Sequence, residues 1–125
     1  MKITGSIDDW GCPILKCEIG NKITLKSIYV NALIDTGSYK FHLKKGFISL
    51  LELENNGTTN ISTPIAGVAD KYLFECVLIF NDTLIVINVC EMQDTFNYDL
   101  IIGSNFFKDG SFTYEGKDKV WNIII

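Results

Sequence analysis

The sequence predicts one mostly-β domain. Its 125 residues match the usual ~100–200 residues of a single domain, so we expect residues 1–125 to form one unit. Hydrophobic residues make up 47% of the chain and the formal net charge is −4, which excludes a disordered polymer because there is enough apolar surface to build a core. Short runs of β-branched and aromatic residues alternate with turn residues, the pattern typical of strands.

The strands follow from these runs, and the turns from Gly, Asn and Asp between them. The predicted strands nearest each end of the chain flank tight-turn signals, and the longest pair of predicted strands is joined by Asn81-Asp82. In chain order the predictions are a strand at 14–19, a turn at 20–21, a strand at 23–34, a turn at 55–57, a hairpin between 72 and 89, and a hairpin of 111–114 with 119–124.

Two short segments are predicted to be helical. In residues 44–53, Phe47, Leu50 and Leu51 recur at helical spacing. Residues 104–108 form the second candidate, and Asp109-Gly110 would end it.

Charge and composition exclude several classes of function. A pI near 4.8 argues against a nucleic-acid partner, which needs a basic face. The single histidine, His42, excludes a His-rich metal site and the H-E-x-x-H proteases, so no metal or cofactor is expected. Apolar stretches such as residues 84–89 are far below the ~20 residues that span a bilayer. Asp8 and Asp9 interrupt the apolar run that a signal peptide needs. A cytoplasmic protein with no membrane partner is expected.

The four cysteines do not indicate a metal site or a disulfide framework. The spacings Cys12 to Cys17 and Cys76 to Cys90 fit a zinc ribbon poorly. Reduced thiols in the core are the main expectation, with a disulfide or a metal site as the alternatives.

Asp35 is the residue that stands out. It follows the apolar run Ala32-Leu33-Ile34 and precedes Thr36-Gly37-Ser38, and a carboxylate at the end of a buried strand needs hydrogen-bond donors or a protonated partner. One interpretation is an Asx-turn, in which the side chain accepts hydrogen bonds from the following backbone. The other is a catalytic carboxylate. Residues 99–104 form a weak internal repeat of this segment, because they also run from an apolar strand into glycine and serine, and such a repeat suggests two similar halves within the domain.

With these motifs the sequence resembles the retropepsin-like aspartic proteases. The resemblance rests on Ala-Leu-Ile-Asp-Thr-Gly-Ser at 32–38 and Asp-Leu-Ile-Ile-Gly-Ser-Asn-Phe-Phe at 99–107, and it covers about residues 12–124. Residues 64–70 stand where the family has a glycine-containing flap. The resemblance implies an acid-protease fold that is closed like a β-barrel, with a flap hairpin and one or two short helices.

The resemblance also implies an aspartic endopeptidase that cleaves a peptide or protein substrate. Such enzymes need two carboxylates that share one proton, because like charges a few ångströms apart cannot both ionise. This chain has one Asp-Thr-Gly, and a two-fold homodimer would supply the second carboxylate. The alternatives are a catalytically silent module of the same fold that binds peptides or dimerises, and a scaffolding subunit of a larger complex.

The family's roles are carried over position by position. Asp35, Thr36 and Gly37 match the catalytic motif, with Thr36 as a buried residue that reaches the partner subunit's backbone. Gly103 matches the glycine beneath the catalytic loop, and the hydroxyl of Ser38 is expected to help keep one carboxylate ionised. The expected substrate-binding residues are Ser38, Ile65, Ala66, Gly67, Val68, Tyr98, Asp99 and Ile101.

Three features lie outside this pattern. Retroviral members often carry an ion pair where this chain has Tyr39 and Ser104. His42 is expected to be a half-exposed strand residue, with a catalytic role as the less favoured alternative. The apolar run at residues 120–125 should pair with other strands, within the core or across a subunit interface, with residues 2–7 as a candidate partner.

Overall fold

The computed structural model describes residues 1–63 and 67–125, and within them the chain is mostly β, as predicted. Strands and short helices follow one another with few long loops. In chain order the elements are β1 (Lys2–Ile7), β2 (Pro13–Gly20), β3 (Ser27–Asp35), β4 (Phe41–Lys44), α1 (Lys45–Leu50), β5 (Asn55–Thr63), β6 (Gly67–Phe80), β7 (Thr83–Met92), β8 (Leu100–Gly103), a 3-10 helix (Ser104–Phe107), β9 (Ser111–Glu115) and β10 (Val120–Ile124).

The described strands form one sheet in the order β5-β6-β7-β4-β8-β3-β2-β1-β10-β9. An additional pairing of β6 with β2 curls the sheet around the core. This pairing joins β6, β7, β4, β8, β3 and β2 into a ring that closes like a barrel, as expected, while β5 and β9 stay at the two ends of the sheet. The strands bend around an apolar interior but leave two free edges.

The two motifs of the weak repeat are neighbours in this sheet. β3 and β8 pair in parallel, with Ala32 opposite Leu100, Ile34 opposite Ile102 and Asp35 opposite Gly103. The strand residues before Asp35 and Gly103 are mostly buried, since apolar side chains cover both faces of this part of the sheet. The register therefore brings the ends of the two motifs to one place.

The C-terminal run pairs within the chain rather than across an interface. β10 pairs antiparallel with β1 on one side and with β9 on the other. Trp121 lies in the middle of β10, is 0% exposed, and donates a hydrogen bond from Nε1 to the Ile14 carbonyl at 2.9 Å. The apolar strand thus pairs and packs within the core of its own chain.

Two predicted turns differ from the structure. The turn predicted at 20–21 is part of a longer loop, so the strand predicted at 23–34 begins only at Ser27. Asn21, which is 7% exposed, organises this loop. Its side chain accepts hydrogen bonds from the Ile23 and Thr24 amides and donates to the Leu51 carbonyl.

The turn predicted at 55–57 is a bulge inside β5. The pairing with β6 skips between Asn55 and Thr58, and Gly57 has a φ of +116°. The Asn55 carboxamide accepts a hydrogen bond from the Gly57 amide at 2.9 Å. Asparagine and glycine therefore serve a bulge here instead of a chain reversal.

All four cysteines are free, and three of them lie in the core, where the sequence predicted them. Cys17, Cys76 and Cys90 are buried, and burial raises the pKa of Cys17 and of Cys76 to about 12, so these thiols are unreactive core residues. No group of three or more His, Cys, Asp or Glu residues is arranged to hold a metal in residues 1–63 and 67–125. None of the helices in these ranges is long and apolar enough to span a bilayer.

Candidate active site

Asp35 ends β3 and is half-buried. Its Oδ1 accepts a hydrogen bond from the Gly37 amide at 2.9 Å, and its carbonyl accepts one from the Ser38 amide at 3.1 Å. This is the Asx-turn that one interpretation of the sequence required. Among the described residues Oδ2 has no hydrogen-bond partner, so the second carboxylate oxygen is available for chemistry. The turn therefore fixes the carboxylate through Oδ1 and leaves Oδ2 without a hydrogen bond from the described residues.

Residues 35–40, here called the Asp35 loop, pack against the second motif. Gly103 lies opposite Asp35, and a Cβ at Gly103 would overlap the backbone of Tyr39 and Lys40. The Ser104 amide donates to the Ser38 carbonyl at 2.7 Å and the Asn105 amide to the Tyr39 carbonyl at 3.1 Å. Two backbone hydrogen bonds thus hold the loop at the positions where retroviral members often carry an ion pair.

The remaining loop residues point in different directions. Thr36 and Gly37 are exposed, whereas Ser38 is half-buried. The Ser38 hydroxyl donates to the Lys40 carbonyl at 3.0 Å, so in this chain it does not donate to Asp35. A Cβ at Gly37 would lie 3.3 Å from Asp35 Oδ1, which is tight enough to disturb the Asx-turn. Gly37 thus keeps the carboxylate in place.

Cavities border Asp35 on two sides. One, of about 260 Å³, combines the apolar side chains of Met92, Phe96 and Ile101 with Ser38 and His42. The other has a volume of about 580 Å³ and lies toward the C-terminal hairpin. Its lining residues are Pro13, Leu33, Ile34, Asp35, Thr36, Phe112 and Tyr114. Concave apolar surfaces with a few polar groups are typical of ligand sites.

His42 connects the Asp35 loop with strand β5. It lines the smaller cavity with Asp35, and a further cavity of about 370 Å³ with residues 60–62 of β5. Burial lowers the pKa of the imidazole, and the nearby Asp35 carboxylate partly offsets this effect. His42 is half-buried in β4, close to the expectation from the sequence.

Of the predicted pocket residues, only some lie near Asp35. Ile101 lines the smaller cavity with Asp35, but Tyr98 and Asp99 line neither described cavity that borders this residue. The Tyr98 hydroxyl donates to Asp8 Oδ2 at 3.1 Å. Asp99 forms an ion pair with Lys44 at 3.2 Å and accepts a hydrogen bond from the Asn31 amide. Both side chains are occupied by structural contacts.

The predicted flap residues fall on the β5–β6 hairpin. Ile65 and Ala66 lie outside the described residues. Gly67 has a φ of +71° and pairs with Thr63, and Val68 pairs with Ser62. Gly67 and Val68 are both exposed. The two strands form an arm that projects past the rest of the sheet.

Several cavity residues were not predicted from the sequence. Met92 and Phe96 reach the site because β4 and β7 pair in parallel, with Lys44 opposite Met92. Phe112 and Tyr114 reach it because β9 lies at the end of the sheet near the Asp35 loop. No local pattern encodes such registers, although the aromatic residues at alternate positions of β9 indicate that one face of this strand has a partner.

Comparison with known proteins identifies the fold. A retropepsin-like aspartic protease from Rickettsia conorii superposes with a TM-score of 0.65 over 98% of this chain and 90% of its own, at 11% sequence identity. The retroviral protease-like domain of Ddi1 from Leishmania major gives a TM-score of 0.47 at 16% identity, over 88% of this chain and 87% of its own. No protein-family model and no curated protein matches the sequence. The chain therefore has the retropepsin-like fold that the two motifs predicted.

Proposed function

We propose that residues 1–125 form one retropepsin-like aspartic endopeptidase domain that is active as a homodimer. The observation that carries the proposal is the position of Asp35. It is half-buried at the end of β3, in register with Gly103, held by the Gly37 amide through one oxygen, and bordered by a cavity on each side. A carboxylate with one fixed and one open oxygen suits general acid–base chemistry.

The homodimer follows from the number of carboxylates. The chain contains a single Asp-Thr-Gly, and hydrolysis by this chemistry needs two carboxylates at one water. Thr36 is exposed in the single chain, although the resemblance assigns it a buried role. A second copy placed over this loop would bury Thr36 and bring Asp35 of the partner subunit to the same axis.

The reaction proceeds by proton exchange between the two carboxylates and the substrate. The ionised Asp35 takes a proton from water while the water oxygen attacks the peptide carbonyl carbon. Asp35 of the partner subunit, in its protonated form, donates to the carbonyl oxygen. The tetrahedral intermediate then collapses and the C–N bond breaks: the now protonated Asp35 donates its proton to the leaving nitrogen, and the ionised Asp35 of the partner subunit takes a proton back from a hydroxyl of the intermediate. No metal or cofactor takes part.

The substrate would lie between the Asp35 loop and the β5–β6 arm. The smaller cavity, with Ile101, Ser38 and His42, accepts one peptide side chain. Gly67 and Val68 would close over the peptide from the arm, where backbone groups can bind an extended chain as an added strand. Tyr98 and Asp99 would support this site without contacting the peptide, because their side chains bind Asp8 and Lys44.

A second candidate is a module that binds peptides without cleaving them. The hydrogen bond from the Gly37 amide to Asp35 gives this carboxylate a structural role that needs no catalysis. The same cavities would then hold a peptide with no reaction.

Replacing Asp35 with Asn tests the proposal. Asp35→Asn keeps an acceptor for the Gly37 amide but removes the acid and the base, so cleavage of a peptide library between acid and neutral pH should fall by at least about 100-fold. Asp82→Asn, at an exposed turn residue, is the matched control and should cleave like the wild type. Unchanged cleavage by Asp35→Asn would overturn the endopeptidase. Peptide binding without cleavage by the wild type would favour the module.

A further inference from the structure

Part of strand β7 has an open edge within the sheet. On one side, β7 pairs with β6 from Thr83 to Cys90. On the other side, β4 pairs only with residues 89–92, because β4 is four residues long and the chain before Phe41 belongs to the Asp35 loop. No other described strand pairs with residues 83–88 on this side. About half of the backbone N–H and C=O groups of this stretch therefore point away from β6 without a strand partner.

A cavity of about 470 Å³ lies against this open edge and is lined by residues 85–88. Successive side chains of a strand point to opposite faces, so a cavity lined by four consecutive residues lies beside the strand and not on one face of it. The opposite wall contains Phe41 of β4 and Phe106 of the 3-10 helix. Their rings pack edge to face with centroids 5.9 Å apart. This cavity is here called the β7 groove.

The strand edge in the β7 groove lacks the features that usually protect an edge from pairing. Such features are charged residues, proline and bulges. Residues 83–88 read Thr-Leu-Ile-Val-Ile-Asn and contain neither a charge nor a proline, and their register with β6 is continuous. Leu84 and Val86 are 61% and 54% exposed. This β-branched, apolar composition favours pairing with a further strand.

Two lysines give the β7 groove a positive charge. Lys40 and Lys108 line it, and no Asp or Glu side chain does so within the described part of the chain. The ion pairs between described residues are all formed by other lysines. Ile125 lies at the groove as well, where its oxygen accepts a hydrogen bond from the Met1 ammonium at 2.8 Å. Although the whole chain carries a formal charge of −4, this groove attracts acidic groups.

We propose that the β7 groove binds an extended, acidic peptide segment of a partner protein, which adds to β7 as a further strand beside residues 83–88. Backbone hydrogen bonds to the open edge provide affinity, and the side chains along the groove provide specificity. Apolar residues of the peptide contact Phe41 and Phe106, and its Asp or Glu residues pair with Lys40 and Lys108. Asp35 does not line the groove, so this binding site goes beyond the proposed function and does not depend on it.

A peptide of three Glu-Val repeats, labelled with fluorescein, tests the site by fluorescence anisotropy. It should bind saturably, whereas a peptide of three Lys-Val repeats should not. Lys108 is exposed, so Lys108→Glu should fold, and it should weaken binding of the Glu-Val peptide at least about 10-fold and strengthen binding of the Lys-Val peptide. Lys117→Glu, at an exposed residue between β9 and β10, changes the net charge equally and should leave both affinities unchanged.

Two further measurements test the addition of a strand. Alternate residues of a strand direct their N–H groups to opposite edges. Of two Glu-Val peptides N-methylated at alternate residues, one should therefore lose binding and the other should retain it. Bound peptide should also slow amide hydrogen exchange within residues 83–88, followed by NMR, and should not slow it in residues 55–63 of β5.

Every other occupant gives a different result. Equal binding of the two N-methylated peptides, or protection of β5 instead of β7, would overturn the strand addition. Displacement of the peptide by a statine-type inhibitor would place it at the Asp35 site and overturn the groove. Binding of laurate, an apolar chain with one carboxylate, without binding of the peptide would also overturn the proposal. So would a change of mass in sedimentation equilibrium for Lys108→Glu without peptide binding by the wild type, because it would assign the groove to a second copy.

Discussion

The Asp35 loop and the β5–β6 arm line one cavity together, that of about 370 Å³, but they are held in opposite ways. The strands beneath the loop bury the side chains that precede Asp35 and Gly103, with Ala32, Leu100 and Ile102 at 0% exposure. In the outer part of the arm, residues 67–70 are all exposed, and Val68 reaches 69%. Tight packing fixes the carboxylate, whereas the arm is held mainly by hydrogen bonds between its own two strands.

The two regions therefore suit two different tasks. A firmly packed region can position a reacting group, and a loosely held region can admit a substrate. Groups that carry out chemistry must be fixed within a fraction of an ångström, which packed strands achieve. A segment that admits substrate has to open, and segments with few buried contacts open at low cost in free energy. We therefore expect that changes beneath the loop act on global stability and that changes in the arm act on substrate binding.

A matched pair of truncations should give the largest effect. Ile102→Ala removes a fully buried side chain beneath the loop and should lower the free energy of unfolding by about 2–5 kcal/mol, because it loses burial and leaves a cavity. Val68→Ala in the exposed arm should change it by less than about 0.5 kcal/mol. Urea unfolding monitored by circular dichroism measures both values. Equal losses for the two variants would show that the arm is packed as firmly as the core.

Val68→Ala should act on binding instead. Its effect on peptide cleavage should be a raised KM with little change in kcat, since in the proposed enzyme the arm contacts the substrate and not the reacting atoms. A fall in kcat with unchanged KM would contradict this division between the loop and the arm.

The smallest effect is expected in the pKa of His42. This residue lines cavities with both the Asp35 loop and the arm, so its pKa reports on both regions. Burial lowers its pKa below 6.5, while the Asp35 carboxylate raises it. Asp35→Asn should therefore lower the pKa of His42 further, and Asp82→Asn should leave it unchanged. NMR can follow the imidazole directly because the chain has one histidine. An unchanged value in Asp35→Asn would mean that the two groups do not interact.

The same pKa shift gives a direction for stability. Since the folded state disfavours the imidazolium, the unfolded state binds the proton first as the pH falls below 6.5. The contribution of His42 to folding is thus present above pH 6.5 and is lost on acidification. A His42→Gln variant should lose less stability than the wild type between pH 7 and pH 5, by chemical unfolding at each pH.

Local patterns predicted most of the elements and the centre of the candidate site. They did not predict β5, where a turn was expected, or how the strands meet. Asp35 and Gly103 were predictable because each ends an apolar run before small residues. Met92 and Phe112 were not, because their positions depend on the parallel β4–β7 register and on the place of β9 in the sheet order. Tyr98 was expected in a pocket, but a partner 90 residues away, Asp8, holds its hydroxyl.

The stoichiometry of inhibitor binding tests the central claim most directly. If two chains share one site, a statine-type mimic of the transition state should bind one molecule per two chains in isothermal titration calorimetry, and Asp35→Asn should abolish most of the affinity. One inhibitor per chain, or binding that is indifferent to Asp35→Asn, would contradict an active site built from Asp35 of both subunits.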